Sequence, residues 1–246
     1  MTRRGGLATC GALVVLLASG CAQRREASAP DQSSTAPSRE VTFATSDGWT
    51  LRADWYPCAG ARGAVVLLHE RGGSAADWRA VAPMLVTARL AVLALDQRGA
   101  GRSRGASNGP DAPWETGPDI EAAVRWLAAP ERGLKLVALA GSSYGANNAL
   151  LYAAAHPEVR SVALVSPGSD YHGLRIRDAA RTYGGRALVI WASGDSITGG
   201  GPEILERAMG ARADVRAYPG TAHGVAIFDE HPDARDAFVA FLAAAP

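Results

Sequence analysis

The chain is predicted to fold as an α/β domain: a mostly parallel sheet with an antiparallel start and helices on both faces. Three observations predict this. From Val41 onward, short runs rich in Val, Leu and Ile alternate with stretches of helical spacing. The runs are continuously apolar, as strands covered on both faces require. Two strands come first, followed by repeated strand-helix units, which favours parallel pairing with crossover helices.

"VTFAT" (41–45) and "WTLRADWYP" (49–57) flank the turn signal "SDG" and predict an opening antiparallel hairpin. "AVVLLH" follows as a strand, then "ADWRAVAPMLVTA" (76–88) as a helix. "AVLALD" and "KLVALAG" are strands with the helical "DIEAAVRWLAA" between them. The helical "YGANNALLYAAA" leads to the strand "SVALVSP". "ALVIWAS", the helix "PEILERAMG", the strand "DVRAYPG" and the helix "DARDAFVAFLAAA" complete the order. The helices end near Gly, Pro or the terminus, where chains stop helices readily.

With 246 residues, 48% hydrophobic and 20% charged, the chain has enough apolar material for one sizeable core and lacks a disordered or collagenous composition. Its net charge is +1 and both signs are interspersed, so nothing points to nucleic acid as a partner. There is no internal repeat and no second folded domain.

The N-terminus is different. Arg3 and Arg4 precede "LATCGALVVLLA", an apolar run too short to span a bilayer comfortably, which marks an export signal. The run ends in "ASGC", Ala18 to Cys21, which resembles the lipobox of bacterial lipoproteins, although leucine is commoner where Ala18 stands. The resemblance implies a signal peptide over 1–20 and a Cys21 that is acylated and becomes the new N-terminus; the alternative is an ordinary secretory signal cut nearby. Residues 21–39, rich in Ser, Ala, Pro and Gln, cannot form a core and are expected to tether the folded domain, 40–246. Localisation would be the bacterial cell envelope, membrane-associated through lipid on Cys21. With Cys10 discarded and Cys21 lipidated, Cys58 lacks an intramolecular partner, and no internal disulfide is expected.

"LAGSSYGAN" centres Ser143 between Gly141 and Gly145, after a strand and before a helix. In that context G-x-S-x-G is a sharp turn that lifts a serine hydroxyl above the carboxyl edge of the sheet. Ser142 is the neighbour, but only Ser143 is centred. A serine hydroxyl needs a base to act as a nucleophile. Of the five histidines, His223 in "YPGTAHG" lies in a Gly-flanked loop between the last strand and the last helix, again at the carboxyl edge. His156 ends a helix as a surface or cap residue, and His231 before Pro232 is expected to be solvated. His69 ends a strand in a structural role, and His172 lies in a loop where substrate contact is open to it. The base needs an acid to fix its tautomer. Asp195, leaving the strand "ALVIWAS", is favoured over Asp170 because the order Ser143, Asp195, His223 is the one associated with this sheet type.

From Val41 to the end the chain resembles the α/β-hydrolase family, of the lidless serine-esterase type, similar to dienelactone hydrolases or serine aminopeptidases. Besides "GSSYG", "LLHERGGSAADW" resembles the loop after that family's third strand, and "LDQRGAGRS" the D-x-R-G-x-G-x-S segment after its fourth. The resemblance implies an eight-stranded sheet of α/β-hydrolase fold and acyl transfer on a small-molecule acyl substrate, carboxylesterase activity leading. Thioesterase, small peptidase or an inactive surface binding lipoprotein are the alternatives. Carried over by position, the oxyanion hole uses the backbone N–H groups of Tyr144 and Arg71. Glu70 stands where the pattern has glycine, and a positive φ there would strain it and rearrange the loop. About twenty residues separate the sixth and seventh strands, too few for a lid domain, so the site is expected to be open, with Tyr144, Tyr171, His172 and Ile197 on its walls.

Two other motifs fail on spacing. "HERGG" lacks the second histidine of H-E-x-x-H, so no metal site is expected. "GAGRSRG" lacks G-x-G-x-x-G spacing, so no cofactor is implied, and Arg98, Arg102 and Arg104 are expected to be loop structure or solvated charge.

Overall fold

A computed structural model of the chain describes residues 38–103 and 115–246. The export signal, Cys21, most of the tether and Arg104 lie outside these residues. Among the described residues no helix is long and apolar enough to cross a membrane.

Strands β1 (Arg39–Ala44) and β2 (Thr50–Tyr56) form the expected antiparallel hairpin. β3 (Ala64–Leu68), α1 (Ala82–Thr87), β4 (Ala91–Asp96), α2 (Gly117–Ala128), β5 (Leu136–Ser142), α3 (Tyr144–Ala155) and β6 (Ser161–Val165) follow. Next come a short hairpin, β7 (Asp170–Tyr171) with β8 (Leu174–Arg175), and α4 (Arg177–Thr182). β9 (Arg186–Ala192), α5 (Gly201–Met209), β10 (Ala213–Tyr218), α6 (Ile227–Glu230) and α7 (Pro232–Ala243) complete the chain. Eight strands form one sheet in the order β1-β2-β4-β3-β5-β6-β9-β10, antiparallel at β1-β2 and β2-β4 and parallel thereafter. This is the α/β-hydrolase fold.

The continuous apolar runs serve two cores at once. Along β3, Val66 and Leu68 pack with α2, α3, α4 and α5 on one face, while Val65 and Leu67 pack with α1, α6 and α7 on the other. Each fully buried Leu or Val contributes about 1.5–3 kcal/mol relative to exposure. α3 is buried on nearly every side from Tyr144 to Ala153. Its mostly small or apolar sequence therefore suits a helix enclosed by the sheet and its neighbours.

The helix expected over 76–88 is divided. A single 3-10 turn spans Ala75–Trp78, capped by Ser74, whose side chain accepts from the Ala76 N–H at 3.3 Å while Asp77 accepts from the Ser74 N–H at 3.2 Å. α1 then restarts with Pro83 in its first turn, where a missing N–H costs nothing. The segment between the sixth and seventh sheet strands holds the β7-β8 hairpin and α4, and forms no cap domain.

Of the two expectations for Arg98, loop structure and solvated charge, the first holds. Its guanidinium, with 2% of the side chain exposed, contacts Asp119 at 2.6 Å and Asp47 at 2.7 Å. Burial pushes the Asp119 carboxyl up despite this pairing. Removing one partner of such a pair typically costs about 3–5 kcal/mol, because the other charge stays buried. Arg102 pairs with Asp96 at 2.6 Å and Asp54 at 2.7 Å, tying the segment after β4 to β2.

The chain leaves β3 to form β4 on one side, then crosses back to form β5 on the other. The loops after β3 and β5 therefore diverge at their carboxyl ends, where open α/β sheets leave a crevice for ligands. "HERGG" and "GSSYG" are those two loops.

Candidate active site

Ser143 stands between β5 and α3 with φ 53° and ψ −121°, a conformation that costs a non-glycine residue about 1–3 kcal/mol. Its N–H donates to the Val165 carbonyl at 2.8 Å, holding the turn against β6. The flanking glycines are steric necessities. A Cβ on Gly145 would lie 2.5 Å from the Leu68 and His69 carbonyl oxygens, and one on Gly141 would lie 2.3 Å from the Gly145 backbone. The elbow is thus pressed against the end of β3.

The Ser143 hydroxyl is 2.7 Å from His223 Nε2, and His223 Nδ1 is 2.7 Å from Asp195 Oδ2. Because a carboxylate only accepts, Nδ1 carries the hydrogen and Nε2 is left to accept from Ser143. Asp195 caps a 3-10 turn at Ser196–Thr198. Its Oδ1 accepts from the Ile197 N–H at 3.1 Å, which leaves Oδ2 turned toward the imidazole. The Asp195 side chain is 1% exposed and that of His223 20%, so the carboxylate is enclosed and the imidazole opens onto the cavity. Asp170 is elsewhere: it is exposed, accepts from the Gly173 N–H at 2.7 Å and pairs with Arg175 at 2.8 Å, closing the β7-β8 hairpin.

Ser143 and His223 line a cavity of about 240 Å³. Tyr144, Tyr171, His172 and Ile197, the expected wall residues, line it as well, with Glu70 and Arg71. Ile197 is 58% exposed at its rim. Arg71 Nη1 lies 3.3 Å from His172 Nε2. A larger cavity of about 590 Å³ lies by α2, α3 and β8, lined by Glu121, Tyr152 and Arg175 among others, and includes none of Ser143, Asp195 and His223.

Glu70 departs from the expectation of strain. Among the described residues, the positive φ values in the "HERGG" loop include Gly72 at 79° but not Glu70. Its carboxylate accepts from the Ser142 hydroxyl at 2.7 Å and from the Val225 N–H at 3.3 Å. Gly224 makes this contact feasible, since a Cβ there would sit 1.7 Å from Glu70 Oε2. One side chain therefore joins the loop after β3 to the end of β5 and to the loop after β10. Ser142, set aside in the sequence as the uncentred serine, supplies one of its donors, and Ser166 supports the same loop by accepting from the Gly224 N–H at 3.0 Å.

Three of the other histidines, His69, His156 and His231, lie away from the cavity. His69 is fully buried; Nδ1–H donates to the Glu70 carbonyl at 2.6 Å and Nε2 accepts from the Gln97 N–H at 3.1 Å. Burial holds its imidazole below the usual range, so it stays neutral and fastens the loop after β3 to the one after β4. His156 caps α3 and stacks on Tyr152 with ring centres 3.8 Å apart. His231, expected to be solvated, donates from Nε2 to the Pro219 carbonyl at 2.8 Å and links the loop bearing His223 to α7.

A family model described as serine aminopeptidase, S33 (Hydrolase_4) matches residues 59–184. No curated protein matches the chain. Among solved structures, an esterase of Pyrococcus furiosus aligns with TM-score 0.68 and 18% identity, covering 83% of this chain and 89% of that one. The dienelactone hydrolase of Anabaena variabilis aligns with TM-score 0.66 and 21% identity, covering 84% and 94%. A thermostable carboxylesterase from a metagenomic library aligns with TM-score 0.65 and 22% identity, covering 85% and 89%.

Proposed function

Because the chain belongs to the serine aminopeptidase S33 family, a hydrolase family of α/β-hydrolase fold, we propose that it hydrolyses small carboxylic esters through an acyl-enzyme on Ser143. The observation that carries this reading is the relay of two 2.7 Å contacts from Ser143 through His223 to Asp195.

In the proposed cycle His223 Nε2 takes the Ser143 proton as Oγ attacks the ester carbonyl. Asp195 holds the ring in the required tautomer and stabilises the imidazolium. The tetrahedral oxyanion accepts from the backbone N–H groups of Tyr144 and Arg71, each such donor contributing about a hundred- to a thousandfold in turnover. The start of the 12-residue helix α3 adds its positive dipole end at the same place. The carbon–oxygen bond then breaks, the alcohol leaves with the proton held on His223, and a water deprotonated by the same histidine releases the acid. The small cavity and the absence of a cap domain in the 168–186 segment support compact acyl groups. The family's description supports a second reading, cleavage of a small peptide by the same three residues.

Protein beginning at Ala22 is expected to turn over nitrophenyl acetate and to gain the mass of a fluorophosphonate on the peptide containing Ser143. Folded protein that neither labels nor turns over the ester would overturn the reading and leave a surface binding protein. Faster turnover of an aminoacyl nitroanilide than of the ester would move it to the peptidase.

Export and lipid attachment at Cys21 are proposed from the N-terminal sequence. Each buried methylene of an acyl chain contributes about 0.8 kcal/mol to membrane binding. A Cys21→Ser chain is expected in the soluble fraction, and its retention in the membrane pellet would exclude the lipid anchor.

A further inference from the structure

We propose that the Tyr171 hydroxyl donates a hydrogen bond to the leaving-group oxygen of the substrate, sharing the departing charge with His223. The proposal rests on Ser143 being the nucleophile, and it assigns Tyr171 a catalytic role beyond lining the cavity.

Topology sets the side from which Tyr171 acts. In the sheet β3 and β6 flank β5, so the Glu70–Arg71 loop approaches Ser143 from one side and the segment after β6, with Tyr171, from the other. The side chain of His223 is on the Tyr171 side: the two rings meet edge to face with centres 6.4 Å apart. A donor placed there is adjacent to the group that protonates the alcohol. Tyr171 lines the same cavity as Ser143 and His223, and its hydroxyl donates to the Ser166 carbonyl at 3.2 Å.

Tyr171 is held there with little freedom. Its ring lies over Gly168, where a Cβ would come within 2.3 Å of ring carbon. The hairpin that carries it turns at His172 and Gly173, with φ 53° and 91°, and is closed by the Asp170–Arg175 pair. Asn147, in the first turn of α3, donates to the Gly168 and Leu174 carbonyls at 2.9 and 2.7 Å and accepts from the Gly168 N–H at 3.0 Å. The helix that follows the nucleophile therefore grips both ends of the segment bearing the tyrosine. Burial pushes the Tyr171 hydroxyl up to about 12, so it remains a protonated donor across the working range.

During collapse of the tetrahedral intermediate the bond between the carbonyl carbon and the alcohol oxygen breaks, and that oxygen takes the proton from His223 Nε2. Tyr171 keeps its own proton and exchanges its bond to Ser166 for one to the leaving oxygen. The benefit grows with the charge the leaving oxygen develops.

The test compares wild type with Tyr171→Phe, which keeps the ring on Gly168, using acetate esters of nitrophenol, phenol, trifluoroethanol and ethanol. The loss in kcat/KM is expected to rise along the series from about twofold with nitrophenyl acetate to about thirtyfold with ethyl acetate, the size of one lost bond to a charged group. The variant is expected to unfold within a few degrees of wild type, the cost of the lost bond to Ser166, which keeps a folding defect separate. A loss that is equal for all four esters, or no loss, overturns the role of Tyr171 while leaving the Ser143 reading intact. Failure of the wild type to label with fluorophosphonate overturns the nucleophile and this proposal with it.

Discussion

Ser143→Ala, His223→Ala and the double variant are expected to lose the same turnover, about a millionfold in kcat on nitrophenyl acetate, and not the product of two separate losses. The reason is the single 2.7 Å contact between the two side chains. A serine hydroxyl without a base is scarcely nucleophilic, and an imidazole without the serine has no proton to take. Once either is gone, the other contributes little to the same pathway. The residual rate, about a thousandfold above that in water, would come from substrate binding and the oxyanion donors. Rates for the three variants check this directly, and a double variant far slower than either single one would show that the two residues do not act as a unit.

Asp195→Asn is expected to lower kcat about ten-thousandfold with little change in KM, whereas Asp170→Asn should stay within about threefold of wild type. An amide in place of the Asp195 carboxylate no longer accepts unconditionally from Nδ1–H. The ring then favours the tautomer with hydrogen on Nε2, which cannot receive the serine proton. Asp170 instead pairs with Arg175 in solvent, so its replacement loosens a hairpin closure and leaves the imidazole untouched. Such exposed pairs contribute little to stability. Equal losses in the two variants would reject the assignment of Asp195.

Much of this architecture is readable in the sequence, because it depends on local or periodic signals. Continuous apolar runs mark the strands of the sheet, and "GSSYG" between a strand and a helix marks the elbow without any knowledge of what surrounds it. The division of the 76–88 helix also has a local signal, in Ser74 and Asp77 at capping-box spacing followed by Pro83. Other features do not, since they arise only when distant segments meet. Glu70 looks like an intrusion into a glycine-rich loop until the Ser142 hydroxyl and the Val225 N–H, 72 and 155 residues away, are found on its carboxylate. The β7-β8 hairpin is equally silent. Its two-residue strands are too short for any periodicity, and Asn147, which holds it, reads as an ordinary helix residue.

Asn147 has one more effect. By joining the Tyr171 hairpin to the helix that begins just after Ser143, it ties that wall of the cavity to the turn bearing the serine. The mouth of the cavity is then expected to act as a fixed aperture instead of a door. Under the proposed function, acyl groups would be sorted by whether they fit on arrival, so selectivity would be expressed at entry, and no closing movement would have to be reversed before the product departs.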